Sequence, residues 1–275
     1  MTPTSEQDYI LGTHDAEVER LGLQHQVWRA RALDAWRRAG FTRGHRLLDV
    51  GAGPGYAAFD LADLVGPEGQ VCAIERSERF VTVLRERARR CGYGNIAAHC
   101  QDVSIDGLPV EDGSMDGAWC RWIFAFLRQP LQLLEGIADA LRPGGALVIH
   151  EYLDYRTWRL APRSALLEKF VAEVMGSWRD DGGEPDIALD LPGWLEEAGF
   201  ELRELRPVID IIRPSSFVWQ WPASFIDVNL RRLVDLGRIA PALADEISAD
   251  FQERSGEPST LMITPTVLEI IAVRR

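Results

Sequence analysis

The fold is decided by residues 47–55, which read Leu-Leu-Asp-Val-Gly-Ala-Gly-Pro-Gly. The first four residues have the apolar bias of a buried strand, and residues 56–65 predict a helix. Three glycines stand at alternate positions between them. Glycine allows a sharp turn and close approach to a ligand because it has no Cβ, and the following helix offers unpaired N–H groups. The stretch therefore predicts a nucleotide-type binding site.

Four further apolar runs follow, and stretches that favour helices lie between several of them. The runs are residues 71–74, 96–100, 117–120 and 146–149. No hairpin signal joins consecutive runs, so each connection predicts a right-handed crossover between parallel strands. The sequence therefore predicts an α/β fold, a Rossmann-like sheet with helices on both faces.

The pattern changes after residue 152, where helical stretches carry many aromatic residues. Residues 201–213, interrupted at Pro207, and residues 260–273 predict two more strands. We expect a single domain over residues 1–275, with its core in about 40–150, 190–213 and 260–275. The segments 1–39, 152–189 and 214–257 are expected to form a helical cap.

Composition argues against several classes of partner. The net charge is −12 and the pI is about 4.9, so the surface repels nucleic-acid phosphates and anionic membranes. The four cysteines form no CxxC pair, which favours reduced thiols. Residues 1–7 do not read as a signal peptide, and no run of about 18 apolar residues would span a membrane. We expect a cytoplasmic monomer or homodimer with no nucleic acid, membrane or metal.

The glycine turn departs from two common phosphate-binding patterns. No Gly-Lys-Ser/Thr sequence follows it, which excludes a P-loop. The dinucleotide fingerprint has its third glycine three residues after the second, whereas Gly55 stands two residues after Gly53. Asp49 precedes the turn, and a carboxylate there suits a ligand with an ammonium group better than a phosphate.

Two acidic residues after the next strands extend the predicted site. Glu75 ends the second strand, twenty residues after Gly55, and a carboxylate there can accept both hydroxyls of a ribose. Asp102 follows the third strand, where it can meet the amino group of an adenine. Together these residues predict an adenosine joined to a zwitterionic amino acid, which is S-adenosylmethionine.

The motifs together resemble those of class I S-adenosylmethionine-dependent methyltransferases of the bacterial small-molecule type. The resemblance covers about residues 40–150 and is carried by residues 48–55, Glu75, 101–103, 108–116 and 141–145. It implies a seven-stranded sheet whose last strand is antiparallel. Residues 201–213 and 260–273 would supply the sixth and seventh strands.

The resemblance also implies which residues hold the cofactor. The turn and the strand ends supply Asp49, Gly51, Ala52, Gly53, Gly55, Glu75, Arg76, Asp102, Val103 and Arg121. Residues 9–12, 20–21 and 24 are similar to a segment that folds over the cofactor in some bacterial members, which adds Tyr9 and Gln24. The alternative is a helix that only packs on the sheet.

Methyl transfer is an in-line displacement, in which the protein holds nucleophile and methyl group together and excludes water. It needs no metal, and a base helps where the nucleophile carries a proton. His150 and Glu151 follow the fifth predicted strand, where open α/β sheets bind ligands. His150 is therefore the candidate base, and Glu151 a candidate contact for a cationic or polar substrate. The alternative is a His150 hydrogen-bonded in the core and a Glu151 at the surface.

Aromatic residues indicate where the methyl acceptor binds. The chain has nine tryptophans, and an aromatic cavity suits a flat, apolar or cationic small molecule. The candidate substrate residues are Tyr152, Trp122, Trp178, Trp219 and Trp221. The alternative is that they pack the cap on the sheet. Residues 120–123 read Cys-Arg-Trp-Ile, which differs from the Asn/Asp-Pro-Pro-aromatic loop of enzymes that methylate amino groups of nucleic acids or protein glutamine.

The sequence leaves three functions open. The first is methyl transfer from S-adenosylmethionine to a small-molecule acceptor in a cavity under the aromatic-rich cap. The second is a non-catalytic regulatory protein that binds the cofactor on the same fold. The third is an NAD(P)-dependent oxidoreductase, which the glycine spacing and Asp49 disfavour. The pattern does not identify the acceptor atom, because oxygen, nitrogen, carbon and sulfur acceptors share this fold.

Overall fold

The computed structural model describes residues 15–275. The helices are α1 Asp15–Arg38, α2 Tyr56–Val65, α3 Glu78–Cys91, α4 Pro130–Ala140, α5 Ala165–Asp180, α6 Leu191–Glu197, α7 Gln220–Asp235 and α8 Pro241–Gly256. The strands are β1 Arg46–Val50, β2 Gln70–Glu75, β3 Ile96–Cys100, β4 Met115–Arg121, β5 Leu141–Asp154, β6 Arg159–Ala161, β7 Phe200–Val208, β8 Ile211–Ile212, β9 Leu261–Ile263 and β10 Thr266–Arg274. Within residues 15–275, each helix is too short or too polar to cross a membrane.

Seven strands form one sheet in the order β3-β2-β1-β4-β5-β10-β7. The first five strands in this order are parallel to one another, whereas β10 is antiparallel to both of its neighbours, β5 and β7. The predicted Rossmann-like sheet with an antiparallel last strand is therefore confirmed. The carboxyl ends of the parallel strands meet at one edge, and this edge carries the glycine turn, Glu75 and Arg121.

The turn between β1 and α2 needs glycine for two different reasons. Gly51, Gly53 and Gly55 all have positive φ, at 72°, 55° and 87°. A Cβ at Gly55 would also lie 2.5 Å from Cγ of Leu84 in α3. A Cβ at Gly53 would have Cδ1 of Leu21 as its nearest neighbour, at 3.9 Å. Gly55 therefore allows α3 to pack closely, whereas Gly53 borders open space.

The two predicted late strands each divide in two. β7 and β10 belong to the large sheet, whereas β8 and β9 join β6 in a separate antiparallel sheet. The division falls where Thr264 N–H donates to the Asp210 carbonyl and Asp210 N–H donates to Thr264 Oγ1, both at 3.0 Å. The expected interruption at Pro207 is wrong, because β7 is an edge strand and an edge strand tolerates proline.

β5 is longer than the sequence predicted. It runs on to Asp154, because β10 pairs with it as far as Thr266. His150 pairs with Arg121 of β4 on one side and with Glu269 of β10 on the other. The expectation that His150 and Glu151 follow the end of the strand is therefore wrong.

Helices α5, α7 and α8 and the first part of α1 form what we call the cap, whereas Ala32 and Trp36 in the second part of α1 pack on the sheet. Helices α5, α7 and α8 pack against one another, and α1 packs against α7 and α2. The apolar cluster between them is rich in aromatic side chains, among them Trp158, Phe170, Trp178, Trp221 and Phe225. Ser164 fixes the start of α5, since its hydroxyl accepts the N–H of Leu167 at 3.0 Å. The helix predicted from residue 161 therefore begins four residues later.

Because Gly55 and Gly53 have different surroundings, we expect alanine at the two positions to lower the free energy of unfolding by different amounts. Gly55→Ala should lower the free energy of unfolding by about 2–5 kcal/mol, because backbone strain adds to the clash with Leu84. Gly53→Ala should cost only the backbone strain, about 1–2 kcal/mol. Urea unfolding measures both, and equal losses would contradict the packing role assigned to Gly55.

Candidate active site

Two adjoining cavities open at the carboxyl edge of the sheet. Together with the open solvent at its mouth, the first cavity encloses about 710 Å³ and the second about 810 Å³, and Gly51, Trp122 and Phe126 line both. The ends of β2 and β3 line the first cavity. The second cavity lies between α1, the glycine turn, the end of β4 and aromatic residues of β5, α5 and α7. Their shared residues place the two cavities next to each other.

Glu75 lies buried at the end of β2, on the wall of the first cavity. Its Oε2 accepts the N–H of Gly53 at 2.9 Å, and its Oε1 accepts the N–H of Ser77 at 2.8 Å. Burial raises the pKa of Glu75, and these backbone hydrogen bonds oppose the rise. Arg76 N–H also contributes a backbone hydrogen bond, and the carboxylate, with about four acceptor positions, can still accept from a ligand hydroxyl.

Asp102 stands at the far side of the first cavity, together with Arg76 and Val103. Its Oδ1 accepts the N–H and the hydroxyl of Ser104, at 3.0 and 2.6 Å. These bonds hold the carboxylate after the end of β3. The cavity therefore places two carboxylates around a wall that includes Ile74, Ile123 and Leu127, a lining that suits an adenosine.

Asp49 lies at the base of the second cavity with only 2% of its surface exposed. No residue within 15–275 donates a hydrogen bond to its Oδ2. Burial raises the pKa of Asp49 to about 7; the charge of Arg121 lowers it, and that of Glu75 raises it further. A buried carboxylate oxygen without a donor is costly unless a ligand supplies one.

Arg121 ends β4 and lines the same cavity. Its Nη2 lies 3.2 Å from Nδ1 of His25, whereas its buried Nη1 has no acceptor among the described residues. Burial lowers the pKa of Arg121 to about 10, and the charge of Asp49 opposes this change. Arg121 and Asp49 thus offer a free donor and a free acceptor to one cavity. A zwitterionic amino acid, with its ammonium and carboxylate, matches this pair.

The predicted cofactor residues come together in the structure. Ten of the twelve line one of the two cavities, namely Gln24, Asp49, Gly51, Ala52, Gly53, Glu75, Arg76, Asp102, Val103 and Arg121. Gly55 does not line them and faces Leu84 instead. Tyr9 lies outside the described residues.

His150 and Glu151 are fully buried, and neither lines the two cavities. His150 Nε2 lies 2.9 Å from Oε2 of Glu269, and its ring lies edge-on to Trp119. Glu151 Oε1 accepts the N–H groups of Ile123 and Phe124, at 2.6 and 2.7 Å. Burial raises the pKa of Glu151 to about 8 and lowers that of His150. Both side chains therefore make hydrogen bonds inside the protein, and neither borders the two cavities where a ligand could bind.

The predicted substrate residues fall into two groups. Trp122, Tyr152 and Trp178 line the second cavity, and Phe225 lies with them. Trp219 and Trp221 do not line it. Trp219 stacks on Phe251 with ring centroids 5.8 Å apart, and Trp221 packs edge-on against Trp28 and face-on against Trp122.

Trp122 occupies the junction of the two cavities in an unusual backbone conformation. Its φ is 51°, a value that strains a residue other than glycine. Its ring stacks between Tyr152 and Trp221, with centroids 5.5 and 5.6 Å away. The guanidinium of Arg121 lies 5.3 Å from the same ring. The packing on both faces therefore holds a strained residue at the point where the cavities meet.

Sequence reasoning missed His25, Asp60 and Phe126. His25 contacts Arg121, Asp60 contacts His25, and Phe126 lines both cavities. The position of His25, one turn of α1 after Leu21, offered a signal, because Leu21 belongs to the segment that resembles a cofactor cover. Asp60 and Phe126 carry no comparable local signal.

The raised pKa of Asp49 predicts how Asp49→Asn changes stability with pH. In the folded protein the Asp49 carboxyl keeps its proton up to about pH 7, whereas in the unfolded chain it loses the proton near the ordinary pKa of 3.8. The free energy of unfolding therefore falls as the pH rises between these two values. The asparagine side chain of the variant does not titrate, so its free energy of unfolding does not fall in this way. At pH 8 it should be about 2–4 kcal/mol more stable than the wild type, and at pH 4 nearly equal. Urea unfolding tests this against Asp112→Asn, at an exposed position; the same difference at both pH values would contradict it.

Comparison with known proteins gives consistent results. Residues 41–179, about half of the chain, match the family model of a methyltransferase domain. An uncharacterized 37.1 kDa protein in transposon TN4556 of Streptomyces fradiae is 38% identical over 209 residues, covering 74% of this chain and 56% of that protein. The O-methyltransferase cnsE of Penicillium expansum is 31% identical over 176 residues, covering 63% of this chain and 58% of the relative. The chain thus spans a little over half the length of these two relatives.

The fold is also similar to that of the [4+2]-cyclase SpnF, with a TM-score of 0.58 and 21% identity over 90% of this chain and 80% of that one. The family match, the sheet order and the residues around the two cavities agree. The chain belongs to the class I S-adenosylmethionine-dependent methyltransferases, and its cofactor is S-adenosylmethionine.

Proposed function

We propose that this protein transfers the methyl group of S-adenosylmethionine to a small-molecule acceptor bound in the second cavity. The observation that carries the proposal is the position of the free Asp49 Oδ2 and Arg121 Nη1 in a cavity that continues into an aromatic wall. The polar pair suits the amino-acid half of the cofactor. The aromatic wall beside it leaves room for a second molecule next to the reacting group.

The wall favours a planar, apolar acceptor. Trp122, Tyr152, Trp178 and Phe225 supply aromatic surface, which attracts flat molecules by burial and ring contacts. Arg20 lines the same cavity, but Glu17 binds it through two hydrogen bonds of 2.7 and 2.6 Å. Its charge is therefore balanced, which suits a neutral acceptor. The O-methyltransferase relative makes hydroxyl acceptors the first class to test.

The chain contributes binding, orientation and exclusion of water. Glu75 would hold the ribose hydroxyls, and Asp49 and Arg121 would hold the amino-acid half of the cofactor. When bound, S-adenosylmethionine would supply a methyl group on its sulfonium; the C–S bond would break as the acceptor bonds to the methyl carbon, and S-adenosylhomocysteine would leave. The aromatic wall excludes water and orients the acceptor for this attack. Burial raises the pKa of Tyr152, so its hydroxyl stays protonated and can donate a hydrogen bond to the acceptor.

A cofactor-binding protein that does not transfer methyl groups is the second candidate, because the same fold occurs in a protein described as a [4+2]-cyclase. The two candidates share the first cavity and differ in what happens in the second. Formation of S-adenosylhomocysteine with a panel of phenols, amines, thiols and isoprenoids separates them. Binding of the cofactor without product from any of these acceptors would favour the second candidate.

Calorimetry with S-adenosylhomocysteine tests the cofactor half of the site. The wild type should bind it and should not bind NAD. Glu75→Gln should weaken binding by about 10–100-fold, because an amide has one acceptor oxygen where the carboxylate has two. Glu78→Gln, at the exposed start of α3, is the matched control and should change binding less than threefold. Tight binding of NAD and none of S-adenosylhomocysteine would overturn the proposal.

The acceptor half is tested by a variant of its wall. Phe225→Leu should raise the acceptor KM about tenfold through lost ring contact and leave the dissociation constant of S-adenosylhomocysteine nearly unchanged. Phe217→Leu, at an exposed position, should change neither. Trp219→Phe tests the earlier prediction that Trp219 contacts the acceptor. An unchanged KM in Phe225→Leu and a raised KM in Trp219→Phe would move the acceptor site from the second cavity to the Trp219 side of the cap.

A further inference from the structure

A chain of polar side chains runs from the protein surface to Arg121. Arg121 Nη2 lies 3.2 Å from Nδ1 of His25 in α1. His25 Nε2 lies 3.0 Å from Oδ2 of Asp60 in α2. Asp60 is in turn held by Arg29, whose Nε and Nη2 donate to its two oxygens at 2.7 and 2.9 Å. His25 itself is 5% exposed, so water does not substitute freely for these contacts.

The chemistry of the two ends fixes where the imidazole proton lies. A guanidinium can only donate hydrogen bonds, so Nδ1 of His25 must accept from Arg121. A carboxylate can only accept, so Nε2 of His25 must donate to Asp60. His25 is therefore neutral, with its proton on Nε2. This tautomer leaves the lone pair of Nδ1 directed at Arg121.

We infer that His25 is a positioning residue, which orients Arg121 so that Nη1 meets the carboxylate of the cofactor's amino-acid half. The inference rests on the proposed function, since it takes Arg121 as a cofactor contact. Nη2 is engaged by His25, and Nη1 is left buried and free at the second cavity. Because His25 and Arg29 belong to α1 and Asp60 to α2, the same contacts join α1 to the helix that follows the glycine turn.

The arrangement has a consequence for pH. The groups that face His25 are Asp60 and Tyr56 from α2, Arg29 from α1 and Arg121 from β4. A second proton on His25 would set an N–H on Nδ1 against the donors of Arg121 and place two positive charges together. Burial lowers the pKa of His25, and the hydrogen bond with Asp60 opposes this change. Cofactor affinity should therefore fall in acid, beyond the loss that protonation of Asp49 causes near its pKa of about 7.

Two amide substitutions separate the contact with Arg121 from the contact with Asp60. His25→Asn places an amide oxygen near the position of Nδ1, where it can accept from Arg121 but cannot reach Asp60. His25→Gln places an amide nitrogen near the position of Nε2, where it can donate to Asp60 but does not accept from Arg121. A residue that only docks α1 on α2 would therefore tolerate Gln better than Asn, and a positioning residue the reverse.

The test is calorimetry with S-adenosylhomocysteine at pH 5.5–8.5 on wild type, His25→Asn and His25→Gln. Urea unfolding first establishes that each of the three proteins is folded. The expected dissociation constant at pH 8 is within threefold of wild type for His25→Asn and at least tenfold weaker for His25→Gln. The loss in acid beyond the Asp49 step should be larger in wild type than in His25→Asn, because protonation of Glu75 affects both proteins alike. Tighter binding by His25→Gln than by His25→Asn, or equal binding by all three, would overturn the inference.

Nitrogen-15 NMR of the wild type provides a readout that does not depend on a variant folding. The expected shifts at pH 8 are those of a protonated Nε2 and an unprotonated Nδ1, and a protonated Nδ1 would overturn the inference. Wild-type protein that fails to bind S-adenosylhomocysteine would overturn the proposed function, and with it the role given to Arg121. Wild-type binding combined with the wrong order of the variants would overturn the inference alone.

Discussion

The site depends on two buried, opposite charges that the protein does not neutralise fully. Asp49 and Arg121 face one cavity, and each keeps one polar atom without a partner among the described residues. Burial disfavours both charged forms, so the pKa of Asp49 rises to about 7 and that of Arg121 falls to about 10. Unpartnered buried polar atoms destabilise the free protein. A ligand with an ammonium and a carboxylate removes this cost, so the strain in the free protein favours binding.

The surrounding structure brings both charges to the wall of one cavity. The parallel strands bring Asp49, Glu75 and Arg121 to one edge of the sheet, and Gly53 borders open space there. Trp178 of α5 and Phe225 of α7 add aromatic surface to the second cavity. The antiparallel β10 has a different effect, because it extends β5 and buries His150 against Glu269. A histidine near the active edge thus becomes part of the core, while the histidine of α1 contacts Arg121.

The sequence predicted those features that follow from short-range pattern. The limits of α2 and β3, the turn conformation and the positions of Glu75 and Asp102 depend on a few neighbouring residues each, and the structure has them where expected. The length of β5 depends on pairing with residues more than a hundred positions away, so His150 and Glu151 were misplaced. Whether Trp178 or Trp219 borders a cavity depends on how cap helices pack, which local periodicity does not determine. The contacts from Asp60 to His25 and from His25 to Arg121 join α2, α1 and β4, so no pattern of neighbouring residues in the sequence indicates them.

A crystal structure of the protein with S-adenosylhomocysteine would show directly whether Asp49 and Arg121 bind the amino-acid half of the ligand. We expect the ligand's ammonium within hydrogen-bond distance of Asp49 Oδ2 and its carboxylate within hydrogen-bond distance of Arg121 Nη1, with the Nη2 contact to His25 kept. A complex in which the amino-acid half lies elsewhere, with both Asp49 and Arg121 still without partners, would contradict this expectation.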